Sequence, residues 1–214
     1  MSKKNVVIVD YGHGNLYSIR QACIQVGYNP IISSEQKDII NADSLILPGV
    51  GAFKIAMEQL SAKDLIEPIY EYVKKGNFLM GVCLGMQLLF DSSEEFGNFN
   101  GLGLINGIVK KFPNHINGKK LRVPHIGWNT LAKRDLWPNG YGNPLENITS
   151  EDFFYFIHSF YASPSEDKYI LSNSSYDEFE FCSSVNKENV FGFQFHPEKS
   201  GAQGLNIYKD FLKL

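Results

Sequence analysis

At Phe78-Leu79-Met80-Gly81-Val82-Cys83-Leu84-Gly85 a short apolar run meets a cysteine flanked by glycines. Phe78 to Val82 reads as a buried strand, and residues from about Leu84 to Phe90 follow as a helix. A buried strand that feeds directly into a helix is the unit of a parallel sheet covered on both faces. Gly81 and Gly85 stand two residues before and after Cys83, the spacing of a nucleophile elbow with Cys in place of Ser. Glycine at both positions lets the backbone turn sharply with no Cβ in the way. The N–H of Leu84 then points where an oxyanion would form. The helix N-terminus favours a thiolate. Gln87 lies four residues on and shares the helix face of Cys83. A packed core cysteine is the competing reading, since free Cys is among the most buried residue types.

Upstream, the same alternation repeats. Asn5 to Val9 reads as a strand, and Asp10-Tyr11-Gly12-His13-Gly14-Asn15 as a turn. Leu16, Ile19, Arg20, Cys23 and Val26 fall at helical spacing, and Gly27 stops that helix. Asn29–Ser33 and Ser44–Leu47 read as further strands, with helices over about Phe53–Leu60 and Asp64–Lys75. Downstream the chain turns strand-rich. Leu104–Phe112 and Lys119–Pro124 flank Asn117-Gly118, a strong hairpin signal. Phe153–His158, Tyr169–Ser172, Phe181–Asn186 and Val190–His196 read as strands, and Leu205–Leu214 as a closing helix. Lys133 to Thr149, with Pro138, Asn139-Gly140, Gly142 and Pro144, reads as an exposed loop. The expected architecture is α/β: an open, mixed, mainly parallel sheet with helices on both faces and an antiparallel extension. No repeat or linker interrupts it, so residues 1–214 read as a single domain.

Composition narrows the function. Of 214 residues, 43% are hydrophobic and 20% charged, with a formal charge of −3, which speaks against a nucleic-acid footprint. The 3 cysteines (Cys23, Cys83 and Cys182) lie far apart without a C-x-x-C, against a disulfide framework or a structural zinc site. Val6 to Val9 is too short an apolar run for a signal core or a membrane span. The expected setting is cytoplasmic, where a thiol stays reduced. Cys23 and Cys182 lack flanking glycines and read as packing residues.

A base for the thiol comes from His196-Pro197-Glu198, at the end of the strand from Val190. Open α/β sheets place ligands at that carboxyl edge. An imidazole there can serve as general base toward a thiol and as general acid toward a leaving amine. Pro197 fixes the backbone so that Glu198 can turn back and orient the ring, the logic of a triad with a Cys nucleophile. His158, at the end of an apolar run, is the rival base. His13 and His115 fall in turns, and His125 follows Pro124.

Cys83 with His196-Pro197-Glu198 resembles the class I (triad-type) glutamine amidotransferases. Further blocks resemble the glutaminase subunit (HisH family) of imidazole glycerol phosphate synthase: residues 10–16, Pro48-Gly49-Val50-Gly51-Ala52-Phe53, residues 81–90, Val123-Pro124-His125-Ile126-Gly127-Trp128-Asn129, residues 155–159, and residues 194–201. They follow the family's order and span nearly the whole chain. The resemblance implies a flavodoxin-like amidotransferase fold. It also implies hydrolysis of L-glutamine to glutamate and ammonia through a cysteinyl thioester. Cys83 would be the nucleophile, His196 the base and acid, and Glu198 the orienting group. Leu84 would supply one oxyanion donor, and Val50 and Gly51 the other after a peptide flip, with Gly49 beside the substrate. Glycines on both sides of Val50 tolerate positive φ, which makes a flip inexpensive. Gln87 and Glu95 match positions that hold the amino-acid end of glutamine, and His158 and Ser159 match a segment whose main chain contacts it. No metal or organic cofactor is implied.

The length leaves no room for a domain that accepts ammonia. A separate partner is therefore expected, docked over the site; the resemblance implies a (βα)₈-barrel cyclase of the histidine pathway, with no nucleic acid and no membrane. Trp128 and Tyr155 are the candidate interface anchors. Three features depart from the family pattern: Asn106 in place of Pro, Phe160 in place of Tyr, and a long 133–149 loop containing Trp137. They keep open a glutaminase subunit that serves a sugar amidotransferase of surface-polysaccharide synthesis. A non-catalytic, glutaminase-like regulatory subunit and a stand-alone cysteine hydrolase are further alternatives. The intact Cys83, His196 and Glu198 argue against the non-catalytic one.

Overall fold

Side-chain alternation in three short strands sets the layers. The computed structural model describes residues 4–134 and 142–214. Its first half runs β1 (Val6–Val9), α1 (Leu16–Gln25), β2 (Ile31–Ser33), α2 (Gln36–Ile40), β3 (Ser44–Leu47), α3 (Phe53–Ala62), α4 (Ile66–Lys74), β4 (Phe78–Val82) and α5 (Leu84–Leu88). Val7 and Val9, Leu45 and Leu47, and Leu79 pack on one side of the sheet with α3 and α4. Val6 and Ile8, Ile46, and Met80 and Val82 pack on the other. Strands buried on both faces carry apolar residues at nearly every position, as these do.

The second half runs β5 (Phe90–Ser93), β6 (Phe99–Asn100), β7 (Ile105–Lys111), β8 (His115–Ile116), β9 (Lys119–Lys120), β10 (His125–Asn129), β11 (Ala132–Lys133), β12 (Phe154–His158), β13 (Phe160–Pro164), β14 (Ile170–Tyr176), β15 (Phe179–Lys187), β16 (Val190–Phe193) and α6 (Gly201–Phe211). The parallel core has the order β2-β1-β3-β4-β16. β15 joins β16 antiparallel, and β13, β7, β5 and β6 extend that edge. α1 and α6 cover the second face, their Ile19, Cys23, Ile207 and Phe211 in one cluster with Val6 and Ile8. The expected mixed, mainly parallel sheet with an antiparallel extension is what forms. Among the described residues no helix is long and apolar enough to cross a membrane.

Several local expectations are corrected. The Asn117-Gly118 turn closes only β8 on β9, two residue pairs long. The strand from Ile105 instead pairs with β13 and β5. It does so because Ile105 and Val109 bury in the core, whereas Lys119 and Lys120 offer nothing to bury. The helix after Cys83 ends at Leu88, because Leu88 and Phe90 carbonyls accept from Leu102 and Gly103 N–H groups and the chain passes into β5. The sequence reading assigned nothing to α2 and β13. β13 follows β12 with only Ser159 between them, so no turn residue marks the change of sheet. Of the 133–149 loop, Trp137, Pro138 and Asn139-Gly140 lie outside the described residues.

Candidate active site

Three strand ends and one bent segment converge on Cys83. The thiol residue caps α5 at φ 55° and ψ −113°, a backbone state uncommon for any residue but glycine. A Cβ on Gly85 would run into the Leu47 carbonyl, and one on Gly81 would sit 2.7 Å from the Gly85 oxygen. The two glycines therefore let α5 lie directly against the ends of β3 and β4. Cys83 N–H donates to Phe193 O at 2.7 Å, which ties the elbow to β16. Leu84 begins α5, so its N–H has no acceptor within the helix. Cys83 is 7% exposed and faces a cavity of about 380 Å³.

His196 lines the same cavity. Its N–H donates to Tyr155 O at 2.9 Å, which bends the chain away from β16 and toward β12. Pro197 opens a single 3₁₀ turn, Pro197–Lys199, and Ser200 Oγ closes it by donating to His196 O. That turn brings Glu198 Oε1 to 2.8 Å from His196 Nδ1. Glu198 Oε2 accepts from Tyr208 OH on α6 at 3.4 Å. The ring's Nε2 is buried, meets no nitrogen or oxygen partner, and is left to interact with Cys83. Burial alone would lower the His196 pKa, but its interactions with the Cys83 sulfur and the Glu198 carboxylate outweigh it and raise the ring to about 10. The arrangement sets the imidazole between the Cys83 sulfur and the Glu198 carboxylate.

His158, the rival base, also lines the cavity but is committed elsewhere. Its Nδ1–H donates to Phe160 O at 2.8 Å, and its Nε2 lies 3.0 Å from His125 Nδ1. Burial is the main cause that pushes His158 down to about 3 and His125 to about 4, so both rings are neutral. A neutral His158 that donates from Nδ1 must accept at Nε2, which leaves it no free proton to exchange with a substrate.

The remaining candidates divide between the cavity and its wall. Val50, Gly51, Leu84, Gln87, Glu95 and Ser159 line the cavity. Gly49 does not. A Cβ there would meet Gly85 N at 2.6 Å and Tyr11 OH at 2.9 Å, so Gly49 serves close packing behind the wall. Positive φ, expected to be available on both sides of Val50, is found only at Gly51 (96°), where a Cβ would meet open space. Tyr11 OH donates to Pro48 O at 2.9 Å and pins the start of this loop. Gln87 Nε2 donates to Phe160 O at 3.0 Å and to Gln194 Oε1 at 2.9 Å. Both N–H bonds of its amide are thus used, and Oε1 is what it offers the cavity. Phe160 takes part through its main chain, so Phe in place of Tyr leaves this contact intact.

Sequence reasoning gave no role to Tyr11, Ile157 or Lys199, of which the latter two line the cavity. Their only signal was position, beside residues already singled out. Cys23 and Cys182 are buried, and burial pushes Cys23 up to about 12 and Cys182 higher. Among the described residues no cluster of His, Cys, Asp and Glu could hold a metal ion.

Trp128 and Tyr155 face each other across the β10–β12 ribbon, rings T-shaped at 5.8 Å. Ile126 pairs with Ile157 in the same ribbon. Trp128, Ile126 and Ile157 are exposed, while their alternate neighbours His125, Phe156 and His158 are buried. Ile157 joins this apolar face to the cavity rim.

Comparison with known proteins agrees with this geometry. The family model for class-I glutamine amidotransferases matches residues 7–214. The imidazole glycerol phosphate synthase subunit HisH of Geobacter metallireducens is 40% identical over 208 residues, which cover 96% of both chains. That of Geobacillus thermodenitrificans is 43% identical over 206 residues, covering 96% of this chain and 93% of its own. Among solved structures, a glutamine amidotransferase superposes with a TM-score of 0.73 at 18% identity, over 98% of each chain. PurLQS from Thermotoga maritima gives 0.72 at 19% identity, over 99% of this chain and 98% of that one. Likeness at such low identity speaks for the fold, and the family rests on the sequence matches. Since these run from the first strand to the last helix, the chain belongs to the class-I glutamine amidotransferases.

Proposed function

We propose that this chain is the glutaminase subunit of an imidazole glycerol phosphate synthase. It hydrolyses L-glutamine to glutamate and ammonia, and passes the ammonia to a separate cyclase subunit for histidine biosynthesis. The observation that carries the chemistry is the buried Nε2 of His196, which meets no nitrogen or oxygen partner and shares the cavity with Cys83, with Glu198 holding the opposite nitrogen at 2.8 Å.

In this reading the Cys83 thiolate attacks the γ-carboxamide carbon. The oxyanion that forms is met by Leu84 N–H and, once the loop turns, by an N–H of the Val50-Gly51 segment. His196 gives its proton to the departing nitrogen, the C–N bond breaks, and ammonia leaves a thioester on Cys83. His196, now neutral, takes a proton from water, whose oxygen attacks the thioester. Glutamate leaves and the thiolate–imidazolium pair is restored. The substrate's α-ammonium meets two acceptors, Gln87 Oε1 and the Glu95 carboxylate, while the main chain at His158 and Ser159 borders its other end. No cofactor enters these steps.

Ammonia is mostly protonated at neutral pH and so is poorly nucleophilic, which makes a sealed route to the partner part of the function. The exposed Ile126, Trp128 and Ile157, with Tyr155 beside them, form an apolar face at the cavity rim where a (βα)₈-barrel cyclase would dock. The names of the relatives favour this partner over a sugar amidotransferase. Residues 1–214 act as one glutaminase domain, and the reduced thiol it needs suits a cytoplasmic setting.

The test is Cys83→Ala assayed with the cyclase. Glutamine-dependent synthesis should vanish while ammonia-dependent synthesis continues. Loss of both would make Cys83 a structural residue. A glutamine-mimicking diazo ketone should label Cys83. Absence of labelling with the partner and its ligand present would favour a non-catalytic subunit.

A further inference from the structure

Gln194 is wholly buried just past the end of β16, and its N–H donates to Ser183 O at 2.9 Å. Its side chain links two parts of the site. Oε1 accepts from Gln87 Nε2 at 2.9 Å, and Nε2 lies 3.9 Å from Cys83 Sγ. A single carbonyl fixes both amide orientations. Phe160 O can only accept, so the Gln87 atom 3.0 Å from it is Nε2. That nitrogen's second N–H needs an acceptor, so the Gln194 atom facing it is Oε1. The Gln194 NH₂ group is left facing the sulfur. Phe160 O is itself held by His158 Nδ1–H at 2.8 Å, and His158 is backed by His125 at 3.0 Å.

Beside Gln194 and His196, the sulfur has a polar neighbour of the opposite kind. Cys83 Sγ lies 3.9 Å from Ile157 O, an acceptor that suits a protonated thiol and repels a thiolate. Gln194 presents the donor that suits the thiolate. A hydrogen bond to the charged form favours that form.

We propose, on the reading of Cys83 as the nucleophile, that Gln194 takes part in the reaction by donating to the Cys83 sulfur. It keeps the sulfur ionised and directed into the cavity, with Gln87 and the Phe160 carbonyl as its support. The buried His125–His158 pair serves the same end from the far side of that carbonyl, which removes those two histidines from acid–base duty and gives them a positioning role.

Alkylation of the full chain by iodoacetamide across neutral pH, with the Cys83 adduct followed by mass spectrometry, tests this. Cys23 and Cys182 are buried away from the cavity that Cys83 lines, and stay silent while the chain is folded. Gln194→Met keeps the shape and removes the donor. It should slow alkylation at neutral pH about tenfold and raise the pH of half-maximal rate by about one unit, the equivalent of one charge-assisted hydrogen bond. Gln87→Met leaves the donor without its anchor and should give a smaller change of the same sign. If the single Gln194 variant does not fold, Gln87→Met/Gln194→Met leaves no orphaned partner and carries the same expectation. A folded variant lacking the Gln194 amide that keeps the parent pH profile overturns the proposal. The probe reads the sulfur without glutamine, so this failure is distinct from a failure of the glutaminase reading, which glutamate release decides.

Discussion

Glu95 Oε2 accepts the backbone N–H of Phe53 at 2.6 Å, across 42 residues of sequence. Phe53 opens α3, whose N-cap residue, Ala52, has no side-chain bond to give. Glu95 is therefore a cap supplied from a distance, bound two residues beyond the Val50-Gly51 segment, and it also lines the cavity. Glu95→Ala should cost about 0.5–2 kcal/mol of stability, the usual loss of an N-cap. Glu95→Gln keeps an acceptor but removes the charge, so it should fold normally and raise KM for glutamine more than it lowers kcat. Urea denaturation and steady-state glutaminase kinetics separate the two effects. An unchanged KM in Glu95→Gln would remove the carboxylate from the substrate's ammonium.

The His196–Glu198 contact makes a signed pH prediction. Since the ring is raised to about 10, it is protonated at neutral pH and loses its proton only as pH rises through that value. In the proposed reaction His196 is the general acid for ammonia departure, and that acid is lost on the alkaline side, so kcat should fall there. Glu198→Gln removes the carboxylate charge that helps hold the proton, and the falling limb should move to lower pH. The rate at neutral pH should drop about 10²-fold or more, as for loss of general acid–base help. A pH–rate profile of the complex checks both.

The buried His125–His158 pair predicts acid sensitivity. Both folded-state values lie below the ordinary 6.5, at about 4 and 3. The unfolded chain binds those protons first, so the stability they contribute is whole above 6.5 and is lost as pH falls through the folded values. His125→Phe, stacked between Tyr176 and Phe156, should flatten the decline of urea midpoints between neutral and acid pH. A slope equal to that of the parent chain would show that carboxylates alone set the acid limit.

Two glycines should respond differently to alanine. Gly85→Ala drives a Cβ into the Leu47 carbonyl and should destabilise the chain by about 1–3 kcal/mol through overpacking, with loss of glutaminase activity. Gly51→Ala meets open space, and its cost is backbone strain at φ 96°, about 1–2 kcal/mol. Chemical denaturation of the purified variants measures both. The activity of Gly51→Ala reports on the loop, since its fold should survive.

Trp128 stands 57% exposed against Tyr155 on the apolar ribbon face. Trp128→Ala should weaken association with the cyclase by about 2 kcal/mol, the scale of a buried interface anchor, and leave the melting temperature of the isolated chain nearly unchanged. Titration calorimetry with the partner is the measurement. Equal affinity of variant and parent would place the interface elsewhere.

The local chemistry was legible in the chain. Apolar runs set β1, β3 and β4, because a strand buried on both faces favours apolar side chains at nearly every position. The glycines around Cys83 announced the elbow, because only residues without Cβ permit so close a return of helix on strand. His196 and Glu198 were legible together, because Pro197 and one turn of backbone are all that separates them. The Asn117-Gly118 hairpin shows where local reading overreached. Its turn forms, but its arms carry lysines with nothing to bury, and the neighbouring strand finds better partners in β13 and β5.

The amide chain from His125 to Cys83 was invisible, because its members are joined through sheet order. Gln87 meets Phe160 and Gln194 across 73 and 107 residues. The sequence by itself determined the parallel strands of the core, the tight turn at Cys83, and that an imidazole and a carboxylate lie together. Only the tertiary structure decided which histidine is free to move a proton, which way each buried amide points, and that Glu95 caps a helix. The physical reason is one of range. Propensity, turn chemistry and side-chain period act over a few residues, whereas the partners of a buried polar group are chosen by whichever distant strands the packed core brings beside it.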